Sequence, residues 1–595
     1  DKISISDGTL MYTYQPSEGS IDGKHCDFQS KSSASFITDG TGDEGTFYAF
    51  YPADAVLGWN GTTVTTMIYT EQKYSENVEN SGVMGPYMAA VATTTGGGAN
   101  ASFTFGHICS VVDVDLSGFD GGEVESVALY ANSQVSIAGR MSYNMSTKAA
   151  TVSGNDGTGY SYSTQSEMIR VSQVNATQPT VRFYVLPVKQ TAGFTITVRC
   201  TDGKYYTKNS TTSVGSDELN DYITTQSGIT GGTLCKPYYK KYNFGAIGSA
   251  RTQNWMAMIP GNVKFNFLSI PGAHDAATSG CTSYTDYTIC QNITVEQLLA
   301  KGCRAFDLRP HTSKTSSDGS STITHSSYST NVSLKQAFTA ITSFLSANPT
   351  ETAFVLIHEE DADSHSTSWS NSVWSTVNEF SSYIASYGWK GNLNPCRGKM
   401  VVIFRDNYTD GTNTGDLGCG KVGWGSSFNS KSITYGTGSG SSDSYTLWYQ
   451  DVYDTSSSSD KLTNLTNMLT NYIAANETDA TKTYINNTNI AKWSLSLFGS
   501  STANTTLAYN VNTAVLGSST FTSHTGRFGI MMTDFLFSSD QKGDQMFELI
   551  HQQNYKYVYK GRTRCATSSA SGTDTGADIS SDEYADGTQV YARQR

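Results

Sequence analysis

The chain has 595 residues and a formal net charge of -13, yet only 15% of its residues are charged, so its polarity comes from Ser, Thr, Asn and Gly. This length exceeds what one core supports and predicts roughly two to four domains. No basic stripe is available to neutralise phosphates, so no nucleic-acid partner is expected, and no run of about 18 apolar residues suggests a helical membrane span.

A low-charge surface rich in hydroxyl and amide groups fits a secreted or surface-exposed protein. The chain opens at Asp1 without Met or a signal sequence, which reads as a processed form. Its ten cysteines show no CxxC spacing, so neither a zinc site nor a redox motif is expected. Cys281 and Cys290 either bridge a short loop or stand as separate buried thiols.

From Asp1 to about Cys235 the pattern is β throughout. Runs such as Gly45 to Tyr51, Val111 to Leu116, Val124 to Tyr130 and Phe194 to Val198 lean to period two and are separated by Gly, Asn and Ser clusters. They predict all-β sandwich-like domains over 1–118 and 119–235, then a linker over 236–251. Within this region Phe47-Tyr48-Ala49-Phe50-Tyr51-Pro52, Met84-Gly85-Pro86-Tyr87 and Phe103-Thr104-Phe105-Gly106-His107 resemble the fimbrillin-like surface lipoproteins of Gram-negative bacteria. That resemblance implies an outer-surface address, a lipid-anchored precursor and an adhesive or assembly role.

From about residue 252 apolar runs end repeatedly in polar side chains, as buried strands do at the mouth of a barrel. Phe265 to Asp275, Cys303 to Arg309, Thr322 to His325, Ala353 to Glu360, Met400 to Asp406, Leu447 to Tyr453 and Phe528 to Asp534 are seven such runs, and Trp493 to Phe498 makes an eighth candidate strand. Capping-box spacing at Thr294/Gln297 and Ser333/Gln336, with Gly302 as a stop, marks two helices between them. Apolar faces at Val373, Val377, Phe380 and Ile384, and at Leu462, Leu465, Met468, Leu469 and Ile473, mark two more. The fold class is therefore multidomain, with a distorted (β/α)8 TIM barrel over 252–565 after the β domains and a polar tail over 566–595.

His274, Asp275, Asp307, Arg309, His325, His358, Glu359, Glu360, Arg405, Asp451, Tyr453 and Asp534 all fall at strand ends. Two histidines near one centre allow one to take a proton while the other gives one, and an arginine offers its guanidinium fork to a phosphate. Carboxylates hold the imidazoles in the needed tautomer. Phosphoryl transfer by general acid/base catalysis is the reaction class these residue types suggest.

The stretches Ser269-Ile270-Pro271-Gly272-Ala273-His274-Asp275, Arg304-Ala305-Phe306-Asp307-Leu308-Arg309, Gln450-Asp451-Val452-Tyr453 and Met531-Met532-Thr533-Asp534 resemble, in order, the catalytic X domain of bacterial phosphatidylinositol-specific phospholipase C. The resemblance implies a metal-independent phosphodiesterase of the phosphorus-oxygen lyase type, with no cofactor, acting on phosphatidylinositol or glycosylated inositol lipids at a membrane surface. It implies that His274, oriented by Asp534, is the base on the inositol 2-hydroxyl. His325, assisted by Asp275, would be the acid, and Arg309, positioned by Asp307, would hold the phosphoryl charge. Arg405, Asp451, Tyr453 and His358 would bind the ring.

Two stretches depart from the family pattern: His358-Glu359-Glu360 stands where lysines are usual, and Ser326 replaces the glycine that usually follows the acid histidine. Tyr284, Tyr287 and Trp424 are expected in rim loops, where they either insert at a membrane interface or, as loop aromatics more often do, pack against the protein. The competing readings are a metal-dependent glycerophosphodiesterase-like or sphingomyelinase-like barrel and a non-catalytic adhesin that binds inositol lipids.

Overall fold

The computed structural model describes residues 2–17, 26–30, 45–74, 87–94, 101–153, 165–229, 231–246, 253–360, 367–405, 417–425, 427–435, 441–455, 457–491 and 501–558. The chain divides into two compact units, the first taking in Asp1–Ala250 and the second being Arg251–Val558. No helix among the described residues is long and apolar enough to cross a membrane.

The first unit is built of β-sheets, and period-two sequences supply its core. Gly139–Asn144 alternates buried and half-buried positions, whereas Phe194–Cys200 is buried at every residue because both its faces are covered. Val64, Met67, Val112, Val127, Leu129, Met141, Phe183, Phe194 and Val198 share one apolar cluster. This corrects the expected boundary at residue 118, because strands from either side of it are hydrogen-bonded together. Thr63–Ile68 pairs antiparallel with Gly139–Asn144, and Glu71–Lys73 pairs parallel with Met168–Ser172. A buried, two-pronged ion pair from Arg170 to Glu71, at 2.8 and 2.9 Å, closes that junction. Nor is 236–251 purely a connection, for Tyr239–Asn243 pairs parallel with Ser110–Asp115.

In the second unit, nine strands among the described residues close a barrel, rather than the eight expected. They are Ile270–Ala273, Ala305–Leu308, Ala353–Ile357, Met400–Phe404, Gly420–Lys421, Phe428–Tyr435, Ser441–Gln450, Lys482–Asn487 and Ile530–Thr533. Neighbours are parallel except at the sixth strand, which is antiparallel to both of its partners. Ala353–Ile357 and Met400–Phe404 are wholly buried, as apolar strands covered on both faces must be. Gly272 lets the first strand approach its neighbours closely: a Cβ there would stand 2.6 Å from Met532 Sδ and 3.0 Å from Ala305 Cβ.

Six of the eight expected runs contain barrel strands. Thr322 to His325 instead belongs to a separate three-stranded sheet formed by Pro310–Thr315, Ser321–His325 and Tyr328–Ser333. Trp493 to Phe498 lies outside the described residues. The strands not anticipated hide for physical reasons. Phe428–Tyr435 is mostly solvated, and Lys482–Asn487 buries polar side chains that an apolar pattern does not flag.

Both anticipated capping boxes are present. Thr294 and Gln297 open the helix Val295–Lys301, which stops at left-handed Gly302, and Ser333 and Gln336 open Leu334–Ala347. Thr367–Glu379, Ser458–Asn467, Asn504–Leu516 and Gly543–Val558 are further helices of this unit.

Candidate active site

Each barrel strand that carries a candidate residue stops before, or at, the point where its polar groups begin. His274 and Asp275 follow the first strand, Asp307 and Arg309 lie at the end of the second, and Asp534 follows the ninth. A cavity of about 560 Å³ is lined by His274, Asp275, Arg309, His325, His358, Arg405, Asp451, Tyr453 and Asp534 among others. Asp307 stands behind it, reached through Arg309.

His274 is the hub. Its Nδ1 lies 2.7 Å from Asp534 Oδ1, and its Nε2 lies 2.8 Å from Arg309 Nη2 and 3.4 Å from Asp275 Oδ2. Burial opposes charge on the ring, but Asp275 and Asp534 outweigh it and pull its pKa up to about 9, with Arg309 acting against them. A guanidinium N–H can donate only to an unprotonated nitrogen, so the Arg309 contact fits the neutral ring with its proton on Nδ1, given to Asp534. That neutral form is the one competent to act as a base, whereas a pKa raised to about 9 keeps the ring charged at neutral pH. Any anion that draws Arg309 away leaves a ring flanked by two carboxylates and eager for a proton.

Arg309 is held on three sides, by Asp275 Oδ1 at 2.9 Å, Asp307 Oδ2 at 2.8 Å and Glu360 Oε2 at 3.3 Å. Burial works against its charge, yet these carboxylates keep its pKa well above the usual arginine value. Burial likewise works against ionised Asp307, but Arg309 and His274 hold that carboxyl well below the usual range. His325 approaches the same carboxylate from the separate sheet, with Nε2 3.8 Å from Asp275 Oδ2. Its Nδ1 lies 2.9 Å from the Thr288 carbonyl, which accepts, so Nδ1 carries hydrogen and Nε2 is the nitrogen free to exchange a proton.

On another part of the wall Arg405 Nη2 pairs with Asp451 Oδ2 at 2.7 Å, and the guanidinium lies 4.8 Å from the Trp424 ring centroid. Trp424 is buried and its indole N–H donates to Asp451 Oδ2 at 3.2 Å, so of the two expected placements it takes the packed one. Tyr284, by contrast, is 62% exposed. Tyr453 is partly exposed at the cavity, and His358 is half-buried there.

Glu360, one of the strand-end residues, joins Arg309 to the turn after His325 by accepting the Ser326 backbone N–H at 2.7 Å. Two further residues were not anticipated as part of this site. Gln291, fully buried, donates to the His274 and Thr533 carbonyls at 2.9 and 2.8 Å and accepts from Leu536 N–H, stitching the first and ninth strand ends together. Cys290 lies 3.8 Å from Asp275 Oδ2; it and Cys281 are separate buried thiols rather than a bridge. A capping motif or strand pattern carries no trace of such contacts.

Among the described residues three groups could share a cation: His274, Cys290 and Asp534; Asp275, Cys290 and His325; and His274, Asp275 and Asp307. Burial pushes the Cys290 thiol well above its usual pKa, disfavouring the thiolate that binds metal. In the third group Arg309 already supplies a cation among the donors.

Residues 9–230 match the family model described as fimbrillin-like. No curated protein matches the chain. Among solved structures, a single-residue variant of the phosphatidylinositol-specific phospholipase C from Staphylococcus aureus is 18% identical, covering 48% of this chain and 92% of that one with a TM-score of 0.37. The phosphatidylinositol-specific phospholipase C from Listeria monocytogenes is 21% identical, covering 50% of this chain and 97% of that one with a TM-score of 0.36. A candidate cell adhesion protein from Bacteroides ovatus is 14% identical, covering 42% and 84% with a TM-score of 0.27. The chain is thus similar to fimbrillin-like proteins in its N-terminal region and, at low identity, to bacterial phosphatidylinositol-specific phospholipases C.

Proposed function

We propose that the second unit is a phosphatidylinositol-specific phospholipase C whose nine-stranded barrel is a distorted (β/α)8 barrel with one opposed strand. The observation that carries this reading is the convergence of two imidazoles on one carboxylate oxygen, Asp275 Oδ2, beside the guanidinium of Arg309. That set supplies a base, an acid and a phosphate clamp within one cavity.

The lipid phosphate engages Arg309, which loosens its contact with His274 Nε2. The freed nitrogen takes the proton of the inositol 2-hydroxyl, and the imidazolium formed is stabilised by Asp534 and Asp275. The hydroxyl oxygen attacks phosphorus, closing a cyclic phosphate. His325 Nε2 gives its proton to the departing diacylglycerol oxygen. Asp307 and Glu360 keep the guanidinium fork oriented, while Arg405, Asp451 and Tyr453 hold the ring, with His358 at its edge.

The fimbrillin-like match over residues 9–230 supports a cell-surface address for the first unit, with lipid anchoring of a precursor as part of the same reading. It also favours a second reading, an adhesin that binds inositol lipids without turnover. Phosphorus NMR of phosphatidylinositol vesicles treated with the full chain separates the two. Appearance of a cyclic inositol phosphate, unaffected by EDTA, supports the lyase; no soluble phosphate supports the adhesin, and EDTA-sensitive release supports a metal-dependent barrel.

A further inference from the structure

The eighth barrel strand, Lys482–Asn487, runs on through Thr488 to Asn489 and Ile490 at the cavity. Three asparagines fall in this stretch, and the first two are engaged. Asn486 Oδ1 accepts from Gln450 Nε2 at 3.0 Å, and Asn487 Nδ2 donates to the Gln450 carbonyl at 3.2 Å. The Thr488 hydroxyl donates to the Met532 carbonyl at 3.2 Å.

Asn489 differs from all of these. The residue is 7% exposed and lines the cavity, and its Oδ1 is buried with no hydrogen-bond partner among the described residues. Folded proteins leave few such groups, because a carboxamide oxygen stripped of water and given no donor destabilises the chain. The backbone around it is pinned: Thr488 N–H donates to the Met532 carbonyl at 2.8 Å and Ala491 N–H donates to the Tyr453 carbonyl at 2.9 Å. Asn489 is therefore fixed between the strand that delivers Asp534 and the segment that carries Tyr453.

We propose that Asn489 is a further substrate-binding residue, its carboxamide engaging the hydroxyls of a polyol ring. This rests on the reading of the cavity as an inositol-lipid site. A carboxamide offers an acceptor and two donors at fixed spacing, which matches neighbouring hydroxyls, and it adds no charge beside Asp275, Asp451 and Asp534. The same chemistry is presented by free inositol and by an inositol-lipid headgroup.

The test uses the full chain as wild type, Asn489→Leu and Asn489→Ala. Three quantities are read: the Tm of the free protein, the Kd for myo-inositol by calorimetry well below that Tm, and kcat and KM on phosphatidylinositol vesicles. The expected result is a Tm that is unchanged or higher, inositol binding weaker by about tenfold, and KM raised more than kcat is lowered. A weaker Kd with unchanged vesicle KM assigns Asn489 to free inositol alone and overturns the headgroup role. Unchanged Kd and KM in both variants overturn the inference, whatever happens to Tm. A wild-type protein that neither binds inositol nor cleaves the lipid overturns both the inference and the reading beneath it.

Discussion

Asp534 Oδ1 lies 2.7 Å from His274 Nδ1, joining the end of the ninth barrel strand to the end of the first across 260 residues of chain. The contact fixes which imidazole nitrogen faces the cavity. Asp534→Asn keeps the shape and removes the charge, so kcat on phosphatidylinositol is expected to fall by roughly 10²–10⁴-fold with little change in KM. Steady-state kinetics of the variant check this, and an unaltered kcat would remove Asp534 from the account.

The pH profile follows from the same pair. His274 must be neutral to act as base, and its pKa is pulled up from 6.5 to about 9, burial being outweighed by Asp275 and Asp534. Activity is therefore expected to climb as pH rises, with a midpoint above 6.5, and Asp534→Asn should move that midpoint down. The stability linkage has the opposite sense. A raised folded-state pKa gives stabilisation that is complete below 6.5 and lost as pH rises through about 9, which denaturant titrations across that window report.

Arg309 tests the phosphate clamp. Arg309→Lys retains a positive charge but loses the planar fork shared among Asp275, Asp307 and Glu360. We expect kcat to fall by about 10²-fold or more. Activity near wild type would show that charge alone suffices.

Ser326 holds a left-handed backbone, φ 50°, where glycine carries no steric penalty. Ser326→Gly is expected to leave stability level or raise it by a few tenths of a kcal/mol, about the net of relieved strain and added chain entropy. Ser326→Val should cost about 2 kcal/mol and disturb His325 beside it. Thermal melts and kcat of the pair read both effects.

How much of this was legible in the sequence depends on what carries each feature. The helix starts at Thr294 and Ser333 were readable because a capping box is a local device, complete within four residues. Ala353–Ile357 was readable because its burial is written in unbroken apolar residues. Lys482–Asn487 was not, since its buried asparagines are satisfied by Gln450, a partner distant in sequence. The pattern places His325 on a barrel strand, because a hairpin strand and a short barrel strand look alike in sequence. For Trp424 it leaves rim and packed placements open, since its partners Arg405 and Asp451 lie at other strand ends and become visible only on folding.

That placement of Trp424 gives a further expectation. Trp424→Phe keeps a ring under Arg405 but removes the hydrogen bond to Asp451, so KM is expected to rise by about tenfold while partitioning onto vesicles stays unchanged. A loss of vesicle binding with normal KM would return Trp424 to the rim.

The most direct test of the central claim is the rate of cyclic inositol phosphate release from phosphatidylinositol vesicles by wild-type chain and by His274→Ala, each with EDTA present. Release by the wild type is expected, with a loss of about 10⁴-fold or more in the variant and inositol binding retained. Equal rates in the two proteins, or no release by the wild type, would contradict that claim.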